Sequence, residues 1–218
     1  MLVLDVLATI PHLLDGLTAT IAISTASLVM ALALGAVLVA IRHAGPSWAH
    51  RLVAGYVAVI RGVPLVIVIF ALFFGLPALI GAPVNAFVVG IAALAASGAA
   101  FISEVLRGAI ARIPAGQFDA AHALGLSTFR TWASIIAPQV VPIALPALVG
   151  EAGFLVKGSA LVSLITVVEL TRRARQVVTE TLDPLVPLLA AGLLYFLLIG
   201  SLSLVARLLE RRLSVQAR

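Results

Sequence analysis

The sequence predicts an all-α integral membrane protein with five membrane-spanning helices, the N-terminus outside and the C-terminus in the cytoplasm. Three observations predict it. Hydrophobic residues fill 62% of the 218 positions and charged residues 11%, with a mean hydropathy of +1.21; soluble domains carry about a quarter charged residues. Several uncharged runs reach the roughly 20 residues that a bilayer core asks of one helix. The arginines gather near the ends of those runs, where the positive-inside bias places them.

The first span is residues 16–41, uncharged between Asp15 and Arg42. Residues 62–103 are also uncharged, too long for one helix and enough for two. The turn-rich stretch from Gly75-Leu76-Pro77 to Gly81-Ala82-Pro83-Val84-Asn85 divides them, giving a second span over 54–76 and a third over 85–106. The fourth begins in the uncharged run 131–150, takes in Glu151 and Lys157, and ends near 167. Residues 184–206 form the fifth, and Leu208 to Leu213 continue it into the cytoplasm.

With the N-terminus outside, Arg42, Arg51, Arg107, Arg112, Arg130, Arg207, Arg211, Arg212 and Arg218 collect on the cytoplasmic side. Only Arg172, Arg173 and Arg175 then lie outside, clustered in a segment that reads as a partner-facing surface. That segment, 169–183, is polar and free of Gly and Pro, which predicts a short amphipathic helix lying on the outer membrane surface. No Lys or Arg precedes Arg42, so the first run lacks the basic start of a signal peptide. No linker or internal repeat divides the chain, and one domain over 1–218 is expected.

Catalytic chemistry finds little support. There is no G-x-x-x-x-G-K-[ST] phosphate loop and no G-x-S-x-G elbow. Cysteine is absent, which excludes thiol catalysis and Cys-ligated metal. His12, His43, His50 and His122 fall in or near predicted loops without metal-ligand spacing. The net charge of +5 follows membrane topology and gives no nucleic-acid signal. A non-enzyme without cofactor or metal is expected.

Three polar features stand out against this apolar background. Asp119-Ala120-Ala121-His122-Ala123-Leu124-Gly125-Leu126-Ser127 begins with helix formers and is broken by Gly125, with a new apolar helix beyond Pro138. Glu104 and Arg107, at i and i+3, can pair on one helix face. In the fourth span Pro138, Pro142 and Pro146 recur every four residues on one side of a helix that they should break. Glu151 and Lys157 follow in the same span. Charges at that depth usually face a bundle interior or a substrate path, and six residues place these two about 240° apart, so they are not an intrahelical pair.

The first of these stretches resembles the E-A-A-x(3)-G-x(9)-I-x-L-P coupling loop of ABC-importer permeases. Asp119 stands for the Glu and Ala137 for the Leu, while Ala120, Ala121, Gly125, Ile135 and Pro138 match. Arg61-Gly62-Val63-Pro64-Leu65 resembles the R-G-[TV]-P-L start of span two in the polar amino acid permeases. Glu104 to Gln117 resembles the E-x-x-R-G-x-I-x-x-[VI]-P-x-G-Q segment, and Lys157-Gly158-Ser159-Ala160-Leu161-Val162-Ser163 resembles K-S-T-A-L-V-S, with Gly158 replacing the hydroxyl.

The resemblance runs from Arg61 to about Gln176 and is to the histidine, glutamine and arginine permeases. It implies five helices of the type I ABC-importer permease fold in a bacterial cytoplasmic (inner) membrane. It also implies coupling to separate ATPase subunits through a loop over about 113–130, by Asp119, Ala120, Ala121, Gly125 and Pro138. A second permease and an extracytoplasmic substrate-binding protein are the other implied partners. The substrate path would carry Glu151, Lys157, Ser159 and Ser163, and Arg61, Glu104 and Arg107 would serve gating or interfaces. Arg61 is expected near the cytoplasmic end of its span, snorkelling to the interface. The implied cargo is a polar amino acid, with a lean to the basic ones. A stand-alone transporter driven by an ion gradient is the rival, which asks for inverted repeats and several intramembrane carboxylates.

Overall fold

The computed structural model describes the backbone of residues 2–216 and the side chains of residues 4–209. Three arginines of the orientation tally, Arg211, Arg212 and Arg218, fall outside the described side chains. Every described element is helical: α1 (Leu2–Ala44), α2 (Ser47–Gly62), α3 (Leu65–Ile80), α4 (Ala86–Ile110), α5 (Ala115–Ala123), α6 (Thr128–Ile165), α7 (Leu170–Thr181) and α8 (Leu185–Gln216). Four of them, α1, α4, α6 and α8, are long and apolar enough to cross a membrane, and the bent pair α2–α3 brings the number to five.

Helix α1 is longer than the uncharged run that predicts it. Its 43 residues extend about 65 Å at 1.5 Å per residue, roughly twice a bilayer core. The surplus N-terminal turns have a partner: Leu13 is buried with Leu170, Ala174, Val177 and Leu194 of α7 and α8.

The expected single second span is instead broken. Helix α2 stops at Gly62, Val63 is extended at φ −104° and ψ 134°, and α3 leaves at 110° to α2. The ring of Pro64 excludes Val63 from the helical region. The following turn is shorter than expected, because α3 runs through Pro77 to Ile80 and reverses at Gly81, where φ is +70°. Asn85 then caps α4 by accepting the backbone N–H groups of Phe87 and Val88 at 2.9 and 3.2 Å.

The Pro-rich fourth span, by contrast, is not broken. Helix α6 is continuous, with Pro138, Pro142 and Pro146 inside it. A proline ring collides with the carbonyl four residues earlier, which for Pro138 is Ser134. That residue sits within a π-helical turn, Trp132–Ile136. The same arrangement recurs in α3, where the π turn Ala71–Gly75 contains Phe73, four residues before Pro77. One extra residue per turn moves the carbonyl aside and keeps the helix going.

Small residues bring α1 and α4 close. A Cβ on Gly35 would lie 2.7 Å from Ile102 Cγ2, and one on Gly98 would lie 3.0 Å from Ala31 Cβ. Around this pair Ile23, Leu94, Ile102, Leu155, Val162 and Ile165 form the main core.

Helix α7 has the expected amphipathic pattern, but its apolar face is buried against α1 and α8 and does not lie on a membrane surface. Its arginines are also less available than their charge suggests. Arg172 donates to the Ser163 carbonyl at 2.8 Å and Arg173 to the His12 carbonyl at 2.9 Å. Two of the three arginines of this segment therefore cap backbone carbonyls, leaving Arg175 exposed.

Candidate functional site: a capped loop and an open helix face

Between α4 and α6 the chain leaves the bundle to form α5. Pro114 sets its first turn, and a Schellman motif ends it: Leu126 N–H bonds the Ala121 carbonyl at 3.1 Å and Gly125 N–H the His122 carbonyl at 2.9 Å. Gly125 takes the left-handed conformation this motif needs, φ +66°, and a Cβ there would meet nothing within 4 Å. Its requirement is conformational, not steric. Ser127 then caps α6, its Oγ accepting from Arg130 N–H at 3.4 Å.

Of the expected coupling residues, Asp119, Ala120 and Gly125 are exposed at this loop, while Ala121 is buried against the bundle. Pro138 is exposed farther along, inside α6. Phe118 anchors α5 by packing on Trp132 (centroids 6.2 Å) and His43 (6.3 Å), and His43 meets Trp132 edge-on at 4.9 Å. Leu124 and Phe129, 74% and 81% exposed, face outward beside them. The sequence reading passed over these aromatics because their partner, His43, lies about 75 residues earlier. The histidines, expected in or near loops, all lie on helices, with His43, His50 and His122 within a turn of a helix end.

The expected substrate-path residues do not converge on one face. Lys157 is exposed, in a stripe with Ala147, Gly150, Phe154 and Leu164 along α6. Ser159 and Ser163 are buried, and Ser159 Oγ donates to the Val156 carbonyl at 2.8 Å. Glu151 is half-buried, and its Oε1 is enclosed without a hydrogen-bond partner. Among the described residues neither Glu151 nor Lys157 is in an ion pair.

The gating candidates are better connected. Glu104 holds Arg107 at 2.8 Å, as its spacing predicts, and also pairs with Arg42 of α1. Arg61 lies in the last turn of α2, at the bend of the broken span, and its guanidinium is 5.2 Å from the Phe101 ring centre; Phe101 packs on Phe154 at 6.0 Å. Phe101 is nine residues short of the end of α4, about 13 Å along its axis. The bend at Val63-Pro64 sets this position, since α2 ends there against α4 and does not run on as a straight span.

The profile of the family described as "Binding-protein-dependent transport system inner membrane component" matches residues 31–215. The chain belongs to this family. It is 36% identical over 213 residues to the arginine transport system permease ArtQ of Bacillus subtilis, covering 96% of this chain and 97% of that one. It is 34% identical to a glutamine transport system permease, GlnP, of Rickettsia conorii, with 93% of each chain covered. Among solved structures, an amino acid ABC transporter crystallised with histidines superposes with a TM-score of 0.86 at 28% identity, covering 96% of this chain and 97% of that chain. A chain of the methionine transporter MetNI shares the fold with a TM-score of 0.77 at 18% identity, over 94% and 98%. This permease is thus a multi-pass membrane subunit of an amino acid ABC importer.

Proposed function

We propose that this permease forms one half of the pore of an ATP-driven importer for polar amino acids, including those with a cationic side chain. It lies in a bacterial inner membrane with its N-terminus outside and α5 in the cytoplasm. There α5 docks into a separate ATPase subunit, and a second permease, copy or paralogue, completes the pore. An extracytoplasmic binding protein delivers the substrate.

The observation that carries this reading is the α5 loop. Its Schellman-capped end presents exposed Leu124 and Phe129 beside Asp119, while Phe118 locks it to α1 and α6. A rigid, partly apolar knob of this kind transmits a push from a partner into α6. Farther along α6 an open stripe runs from Ala147 to Lys157, and Glu151 lies half-buried on another side of the same helix. The cationic preference rests on the unpaired Glu151 oxygen, which is costly at membrane depth unless something positive or hydrated meets it, and on the likeness to an arginine permease.

Reconstitution tests the proposal. Proteoliposomes holding the permease, its ATPase and its binding protein should take up labelled arginine or glutamine only with ATP inside. Uptake by the permease alone under an ion gradient would overturn it in favour of secondary transport.

A further inference from the structure

We infer that the end of the bundle carrying α5 holds a site for an anionic phospholipid, its phosphate seated among Arg42, Arg51 and Arg107 and one acyl chain lying in the apolar groove beside them. A cavity of about 430 Å³ opens there between α1, α2 and α4. Its lining brings together three arginines and two histidines, His43 and His50. Among the described residues the ion pairs of this cluster come from Glu104 alone, which holds Arg42 and Arg107. Among the described residues Arg51 has no ion-pair partner, so positive charge is in excess there. His50 Nε2 is enclosed and without a hydrogen-bond partner. An acceptor-rich group supplies what both lack, and a phosphodiester fits that chemistry.

The neighbouring space separates a lipid from a free anion. A second cavity, about 420 Å³, shares Val39, His43 and Ile110 with the first. Apart from Thr128 its further lining is apolar, including Ala36, Ala40, Leu106, Val140 and Val141. A basic pocket continuous with an oily groove matches a headgroup joined to a chain; a soluble phosphate would leave the groove empty. Both tryptophans mark this level as an interface: Trp48 is 60% exposed in the first turn of α2, and Trp132 lines the groove. A lipid seated there would join α2, through Arg51, to the α1–α4 pair. It would thereby brace the helices that carry α5.

The test is native mass spectrometry of the assembled transporter, titrated with phosphatidylglycerol or phosphatidylcholine. The wild type should retain phosphatidylglycerol in preference to phosphatidylcholine. Arg51→Gln, which leaves the Glu104 pairs intact, should bind phosphatidylglycerol about fivefold more weakly. Arg130→Gln removes an exposed arginine that does not line the cavity, and should bind as the wild type does. Equal affinity of the wild type and Arg51→Gln would overturn the site, as would an equal loss in Arg130→Gln. Displacement of the lipid by millimolar inorganic phosphate would assign the cavity to a free anion and overturn the lipid.

Discussion

Arg61 and Phe101 are 40 residues apart in the sequence, and in the fold the Arg61 guanidinium stands 5.2 Å from the Phe101 ring centre. The pair ties the bend between α2 and α3 to α4, and Phe154 carries the contact on to the open face of α6. A cation against an aromatic face is worth about 0.5–2 kcal/mol. Arg61→Gln and Phe101→Leu should therefore be non-additive. A double-mutant cycle on transport rate should give a coupling of about 0.5–1 kcal/mol, and strictly additive effects would mean that the contact has no energetic role.

Gly125 should matter through its backbone. A side chain at φ +66° strains the loop by about 1–2 kcal/mol, although the space around it is open. Gly125→Asp should reach the membrane but separate ATP hydrolysis from uptake. Gly125→Asn, which tolerates the left-handed region, should retain more coupling than Gly125→Val. Gly116→Ala, also in open space but at ordinary φ, serves as the silent control. Normal uptake by fully inserted Gly125→Asp and Gly125→Val would remove α5 from the coupling role.

Glu151→Gln keeps the shape and deletes the charge. Uptake of a cationic amino acid in proteoliposomes should weaken by roughly 1.5–3 kcal/mol, the scale of a hydrogen bond to a charged group, while basal ATPase activity stays near wild type. Unchanged uptake refutes a substrate role. Loss of the assembled complex would instead point to a structural ion pair with the second permease.

Glu169 gives a pH dependence. The carboxyl is fully buried at the start of α7, accepting N–H bonds from Thr171 and Arg172 at 2.9 and 2.8 Å and the Tyr195 hydroxyl at 2.8 Å. Burial outweighs these donors and raises its pKa. A raised folded-state value means that the folded protein binds the proton more tightly than the unfolded chain. This group therefore supports stability below its unfolded pKa, and that support is lost as pH rises through the folded value. Thermal melting in detergent should fall over that window in the wild type and be flatter in Glu169→Gln. Tyr195→Phe should cost about 1 kcal/mol; identical pH profiles for wild type and Glu169→Gln would rule the group out.

Topology can be checked without background, because the chain has no cysteine. Ser127 and Thr179 are both exposed, at opposite ends of the segment that contains α6. Ser127→Cys should be labelled only from the cytoplasmic side and Thr179→Cys only from outside. Labelling of both from one side would mean that α6 does not cross.

The sequence by itself determined the class, the apolar spans and the short polar interruptions, because hydropathy and Gly, Ser and Asn caps act within a few residues of where they are written. Gly125 at a helix end, Asn85 at a helix start and the Glu104–Arg107 pair were legible for that reason. Tertiary structure decided what depends on distant neighbours. Arg42 reaches Glu104 from another helix, Arg172 and Arg173 are claimed by carbonyls at Ser163 and His12, and the apolar face of α7 meets α1 and not lipid. The prolines mark the boundary between the two. Pro64 breaks a helix whereas Pro138 does not, since a π turn can absorb the Pro138 ring clash once packing holds α6 on both sides of it.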